Sequence, residues 1–153
     1  MRLDMAILAW SETYSVGSAM IDSDHQILIN LINQLHDATE TGQSRDVVGS
    51  VINVLAEYVV HHFHREELLM AQIGYPERAQ HSQTHRDLEQ RVRDIRDRWM
   101  AGERHVLDDD VMTFLKIWLT DHILRADIAY RPWIEAAADA HGGADSGGGA
   151  CNI

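Results

Sequence analysis

RDVVGSVINVLAEYVVHHFHREELLMAQIG, residues 45–74, contains no proline and only one glycine before its last residue. Val48, Val51, Ile52, Leu55, Val59, Phe63 and Leu69 recur at helical steps and share one broad face. Gly74 stops the run. Near Val60, where that face calls for further core residues, the chain supplies His61, His62 and His64 instead. Imidazoles turned toward an apolar interior need partners, and those have to come from other parts of the chain.

Three further segments carry the same period. Ser23 is a plausible N-cap for a first helix with Ile27, Leu28, Leu31, Ile32 and Leu35 along one stripe, ending at Gly42. Pro76 opens a third in its first turn, where the missing N–H costs nothing. That helix runs through Leu88, Val92, Ile95 and Trp99 to Gly102. The acidic run Asp108, Asp109, Asp110 suits the N-terminus of a fourth, which continues through Met112, Leu115, Trp118, Leu119 and Ile123 toward Tyr130. No segment sustains the alternation of a strand. Helices of roughly 18 to 28 residues are about 27 to 42 Å long. Joined by short loops, they predict an all-α, up-down-up-down four-helix bundle. An N-terminal arm precedes it, and Gly142, Gly143, Gly147, Gly148 and Gly149 mark a flexible C-terminal tail. The expected division is a bundle domain over 1–140 and a tail over 141–153, with the methionines as core filler.

Composition narrows the function classes. A chain of 153 residues suits one domain. Its 13 Lys+Arg against 24 Asp+Glu give a net charge of −11, which disfavours nucleic acid and anionic lipid as partners. No apolar run approaches the roughly 18 residues of a membrane span. Asp4 inside the first apolar stretch makes a poor signal peptide. The single cysteine, Cys151, cannot form an internal disulfide. A soluble, cytoplasmic protein is expected, and a monomer, because the inner faces account for most apolar residues. The anomaly is histidine, ten of them in an acidic chain.

Their spacing suggests chemistry. His25 falls early on the first helix, His62 and Glu66 are four apart on the second, and His81 and His85 four apart on the third. His122 lies on the fourth, with Asp127 five residues on. Residues four apart stack on one helix face, and a bundle turns four inner faces to one axis. Any one piece alone reads as a satisfied core histidine or a surface pair. Together, all four helices offer metal ligands.

Five imidazoles and two carboxylates are too many for one tetrahedral zinc, and no thiolate joins them to suit a soft metal. Suppose both carboxylates and one hydroxide or oxide bridge two six-coordinate metals. Each metal then gains three ligands, and the histidines fill every remaining position but one. Such a pair suggests iron binding a small diatomic ligand. The step from His122 to Asp127 is about 140° on an ideal helix, so a local distortion or a wide i→i+5 turn is expected there.

The chain resembles the hemerythrin family, and within it the single-domain bacterial members, from Trp10 to Tyr130. The resemblance is carried by W-x3-Y-x-VG-x3-ID-x2-H (Trp10 to His25), HF-x2-EE-x2-M (His62 to Met70), YP-x4-H-x3-H (Tyr75 to His85) and WL-x2-HI-x3-D-x2-Y (Trp118 to Tyr130). It implies reversible O2 binding at a non-heme di-iron centre with a bridging oxo or hydroxo group, for oxygen carriage, storage or delivery. His81, His85 and His122 would ligate one iron, His25 and His62 the other, with Glu66 and Asp127 bridging. O2 would bind end-on at the five-coordinate iron and rest as hydroperoxide. Leu28, Phe63, Trp118, Leu119 and Ile123 match the apolar residues of the family's O2 pocket.

The alternatives are a di-iron enzyme, peroxidase or nitric-oxide reductase in type, and an O2 or iron sensor acting through a partner. An oxygen-consuming enzyme is a further possible partner for a carrier. No additional acid–base residue is evident from spacing, which favours a carrier. His36, His61, His64, His105 and His141 fall outside the ligand pattern. His61 lies about 100° around the helix from His62, and His64 about 160° from Glu66, so both are expected to face solvent. Glu67 either orients a neighbour or lies on the surface.

Overall fold

A computed structural model describes residues 8–103 and 105–145, the last five as backbone only. The four expected helices are α1 (Ala19–Glu40), α2 (Arg45–Gln72), α3 (Arg78–Met100) and α4 (Asp109–Asp121). Short connections make sequence neighbours antiparallel. Accordingly α1 packs on α2, α2 on α3, and α4 returns beside α1.

The helix starts follow capping chemistry. The Ser44 side chain accepts the Val47 N–H and that of Asp108 the Val111 N–H, while Asp46, Asp109 and Asp110 sit in first turns where the helix dipole favours anions. Two expected starts are displaced. α1 is capped by Ser18, whose hydroxyl accepts the Ile21 N–H, rather than by Ser23. The earlier start brings Asp22 into the first turn, where its carboxylate accepts both the Ser15 hydroxyl and the Val16 N–H. α3 begins at Arg78, so Pro76 lies in the preceding turn and not in the helix. The reason is the end of α2. There Tyr75 N–H bonds to Met70 O and Gly74 N–H to Ala71 O, with Gly74 at φ 69°. This closing motif needs the left-handed backbone that glycine supplies, and it consumes the residues through Tyr75.

The fourth helix does not run uniformly toward Tyr130. A π-turn over His122–Asp127 and a 3-10 turn over Ile128–Tyr130 follow α4. A fifth helix then appears, α5 (Arg131–Asp145), with Pro132 in its first turn. It carries helical backbone beyond residue 140, into the segment expected as a flexible tail; residues 146–153, including Cys151, lie outside the described ones. Ile134 packs inward and the Arg131 guanidinium donates to Ser15 O, tying α5 to the N-terminal loop.

The apolar core divides in two. A large cluster includes Leu28, Ile32, Leu55, Val59, Phe63, Leu115, Leu119 and Ile123, and a small one holds Val16, Ile21, Met70, Tyr75 and Tyr130. Along α1, α2 and the α4 continuation, the buried residues passed between the two clusters are polar: Asp24 and His25, then Glu66, then Asp127. Some core expectations fail: Ile27 is exposed, and so are Met20 and Met100, which project from the bundle instead of filling it. Leu8 of the arm is anchored by Asn33, which donates to its carbonyl and accepts its N–H.

Candidate metal centre

The polar layer consists of His25 from α1, His62 and Glu66 from α2, His81 and His85 from α3, and His122 and Asp127 from the two ends of the π-turn. All seven are buried. The π-turn explains the odd spacing, because an i→i+5 turn holds one residue more than an α-turn and brings Asp127 back under His122.

Ligand atoms of Glu66, His81, His85, His122 and Asp127 all lie within 4.8 Å of one another, and so do those of His25, His62, Glu66 and Asp127. The two carboxylates belong to both groups, and their oxygens divide between them. Glu66 Oε1 stands 2.7 Å from His81 Nε2 and 3.3 Å from His85 Nε2, while Oε2 stands 3.0 Å from His62 Nε2. Asp127 Oδ1 is 3.0 Å from His81 and His122 Nε2, and Oδ2 is 3.0 Å from His25 Nε2. Each carboxylate thus turns one oxygen toward the group of His81, His85 and His122 and the other toward the group of His25 and His62.

These short approaches are not aligned hydrogen bonds. Both oxygens of Glu66 and Asp127, and Nε2 of His25, His81, His85 and His122, have no hydrogen-bond partner. Unpartnered buried polar atoms are costly, and here they converge on two common points. The donor set of imidazoles and carboxylates fits a pair of divalent or trivalent N/O-preferring ions.

Without metal, the charges answer one another. Burial disfavours the His25 and His81 cations, but Asp127 and Glu66 beside them hold both rings up at about 9. Burial raises the two carboxyl groups, and the surrounding imidazoles overcome it and hold both well below the usual range. His85 goes the other way, lowered by burial and by neighbouring His81 and His122.

The two halves differ in access. His81 forms part of the wall of a surface cleft of about 190 Å³ that also includes Tyr75, Thr84 and Arg125, and His122 borders a second cleft with Leu88, Phe114 and Trp118. His25 and His62, at 0% and 1% exposure, are sealed. Leu28, Phe63, Trp118, Leu119 and Ile123 are all buried, and Phe63 stacks on His85 with ring centroids 3.9 Å apart.

Histidines outside the set behave differently. His61, His64 and His105 are exposed, and half-buried His36 faces Asp37 and Glu40 on its own helix. The His141 side chain is outside the described part. Glu67 is half-buried, pairs with Arg86 and comes within 3.9 Å of His85 Nδ1. The sequence reading missed Asp24. This buried carboxylate accepts the His62 Nδ1–H at 3.1 Å, and its partners Tyr58 and Arg65 lie far off in sequence. The signal available was weak: an acidic residue next to a ligand-type histidine.

The description of the hemerythrin HHE cation binding domain fits residues 16–134 of this chain. The chain belongs to the hemerythrin family. It is 38% identical over 132 residues to a bacteriohemerythrin of Stenotrophomonas maltophilia, covering 86% of this chain and 84% of that one. With the bacteriohemerythrin of Methylococcus capsulatus the identity is 32% over 133 residues, 86% of this chain and 100% of the relative. Wild-type hemerythrin superposes with a TM-score of 0.77 at 31% identity, over 83% of this chain and 97% of that structure. Membership in the hemerythrin family and the buried His/Glu/Asp cluster suit a di-iron site. No helix among the described residues is long and apolar enough to cross a membrane.

Proposed function

We propose that the chain binds O2 reversibly at two iron ions and carries, stores or delivers it, with no catalytic role. The supporting observation is the division of the Glu66 and Asp127 oxygens between a three-histidine group and a two-histidine group. In this reading His81, His85 and His122 hold one iron, His25 and His62 the other, and the carboxylates bridge. When bound, such a pair would supply electrons to a diatomic ligand. Every other task falls to the protein. The bridging carboxylates fix the spacing and offset the metal charge. Leu28, Phe63, Trp118, Leu119 and Ile123, all buried, would line a dry pocket that admits an apolar gas and slows water and anions. All five are without acid or base groups, which favours a carrier over an enzyme.

The test is iron-loaded protein kept reduced under anaerobic conditions, with iron counted per chain and visible spectra taken before air, in air and after oxygen removal. Two irons per chain and a band that appears with oxygen and vanishes on its removal are expected. One iron per chain, or a band that never reverses, refutes the reading. As a check on the bridges, Glu66→Ala and Asp127→Ala should each lose iron while remaining helical by circular dichroism. Retention of both irons in either variant would remove that carboxylate from the site.

A further inference from the structure

Behind the two-histidine half stands a second carboxylate with a complete set of partners. Asp24 Oδ2 accepts His62 Nδ1–H at 3.1 Å and Arg65 Nε–H at 2.8 Å; Oδ1 accepts the Tyr58 hydroxyl at 2.7 Å and Arg65 Nη2–H at 2.9 Å. Four donors saturate the roughly four acceptor positions of a carboxylate. Tyr58, His62 and Arg65 recur at steps of four and three along α2, so one helical stripe presents all three to the residue preceding His25. The Arg65 guanidinium also lies over the Tyr58 ring, 5.5 Å from its centroid.

No equivalent exists elsewhere in the centre. The Nδ1 atoms of His25 and His85 have no hydrogen-bond partner, and Glu67 stops 3.9 Å short of His85. Among the described residues, His62 alone of the five histidines hydrogen-bonds to a carboxylate through Nδ1. An N–H fixed to a carboxylate leaves Nε2 as the free lone pair, sets the ring plane and makes the imidazole a stronger donor.

We propose that Asp24, clasped by Tyr58 and Arg65, is a positioning residue that locks His62 in its Nδ1–H form and lends negative charge to the half of the centre with fewer ligands. The inference rests on reading His62 as a metal ligand. It explains why a carboxylate is buried beside a ligand instead of facing water, and why two residues of α2 are committed to it. The asymmetry it creates has a use: the half with one histidine fewer receives its missing electron density from outside the ligand set.

The test uses the full chain loaded with cobalt(II) as a probe, so its outcome does not depend on O2 binding. Cobalt affinity is measured against a chromophoric chelator, and the exchangeable histidine N–H signals shifted by the paramagnetic ions are recorded by NMR. Asp24→Ala should bind one of the two cobalt ions about 10- to 100-fold more weakly and the other as the parent does, and Asp24→Glu should restore most of the loss. Tyr58→Phe, a mild change that leaves the fold intact, should shift one N–H signal, and that shift should vanish in the Asp24→Ala background. The proposal is overturned if Asp24→Ala holds both ions as tightly as the parent, if no N–H signal moves, or if the Tyr58→Phe effect survives without Asp24. A parent that takes up two cobalt ions, yet binds no O2 as the iron protein, refutes the oxygen reading alone. A parent that takes up none refutes both.

Discussion

Tyr130 is fully buried, and its hydroxyl has no hydrogen-bond partner in the protein. Burial, with Glu66 and Asp127 nearby, pushes the phenol well above its usual 10, so the group stays protonated. A stranded buried donor costs about 1–3 kcal/mol. Tyr130→Phe removes it at nearly constant volume. Denaturant melts of the metal-free variant should show stability unchanged or raised by about 1 kcal/mol. A loss of that size would show that the hydroxyl serves a partner after all. Residues of this kind are where a sequence says least. The ligand set was readable because His62–Glu66 and His81–His85 announce themselves by local spacing. Asp24 and Tyr130 act through contacts across the bundle, and the one local mark on Asp24 is that it precedes His25.

The elements tell a similar story. The helical period of Val48, Ile52, Leu55 and Val59 survives folding intact because those side chains all meet the core. The start of α1 could not be settled from the same evidence. Ser18 and Ser23 both precede apolar residues, and the choice falls to a loop contact, Asp22 with Ser15 and Val16. α5 was missed because the apolar period was followed only to Tyr130 and the glycines after Ala140 read as a flexible tail. The π-turn was legible from chemistry: two ligands five residues apart cannot share a face of a regular α-helix. It amounts to one extra residue in a helix, and Leu124 within it is exposed. Deleting Leu124 should therefore convert His122 and Asp127 to the i, i+4 relation that His62 and Glu66 already use, with both flanks still in register. We expect the deletion variant to fold and keep its metal content, measured by circular dichroism and metal analysis. Loss of metal in a folded variant would mean that the wide turn itself sets the geometry.

At the scale of the molecule, the centre links stability to pH and to metal. His25 and His81 stand at about 9 in the metal-free fold against an ordinary 6.5, so the folded state holds protons that the unfolded chain gives up. Their stabilisation is complete below about 6.5, declines between 6.5 and 9, and is gone above. His85, held low, acts at lower pH, and the depressed carboxyl groups matter only in acid. Metal must displace those protons, so its stabilising effect grows over the same interval. Thermal melts at pH 6.5 and pH 9 should show the metal-free protein weakening as the gap to the loaded protein widens. A metal-free melting point that rises with pH would contradict the assignment.

The sealing of the ligands also bears on time. His25, Glu66, His85 and Asp127 are all at 0% exposure and come from α1, α2, α3 and the π-turn that continues α4. A chelator cannot touch an ion held by His25 and His62, the sealed half, until the helices part. Metal loss should then follow the opening of the bundle, at a rate that stops responding to chelator concentration and matches the slowest class of amide exchange. Raising the chelator's strength would change where the exchange ends but not how long it takes.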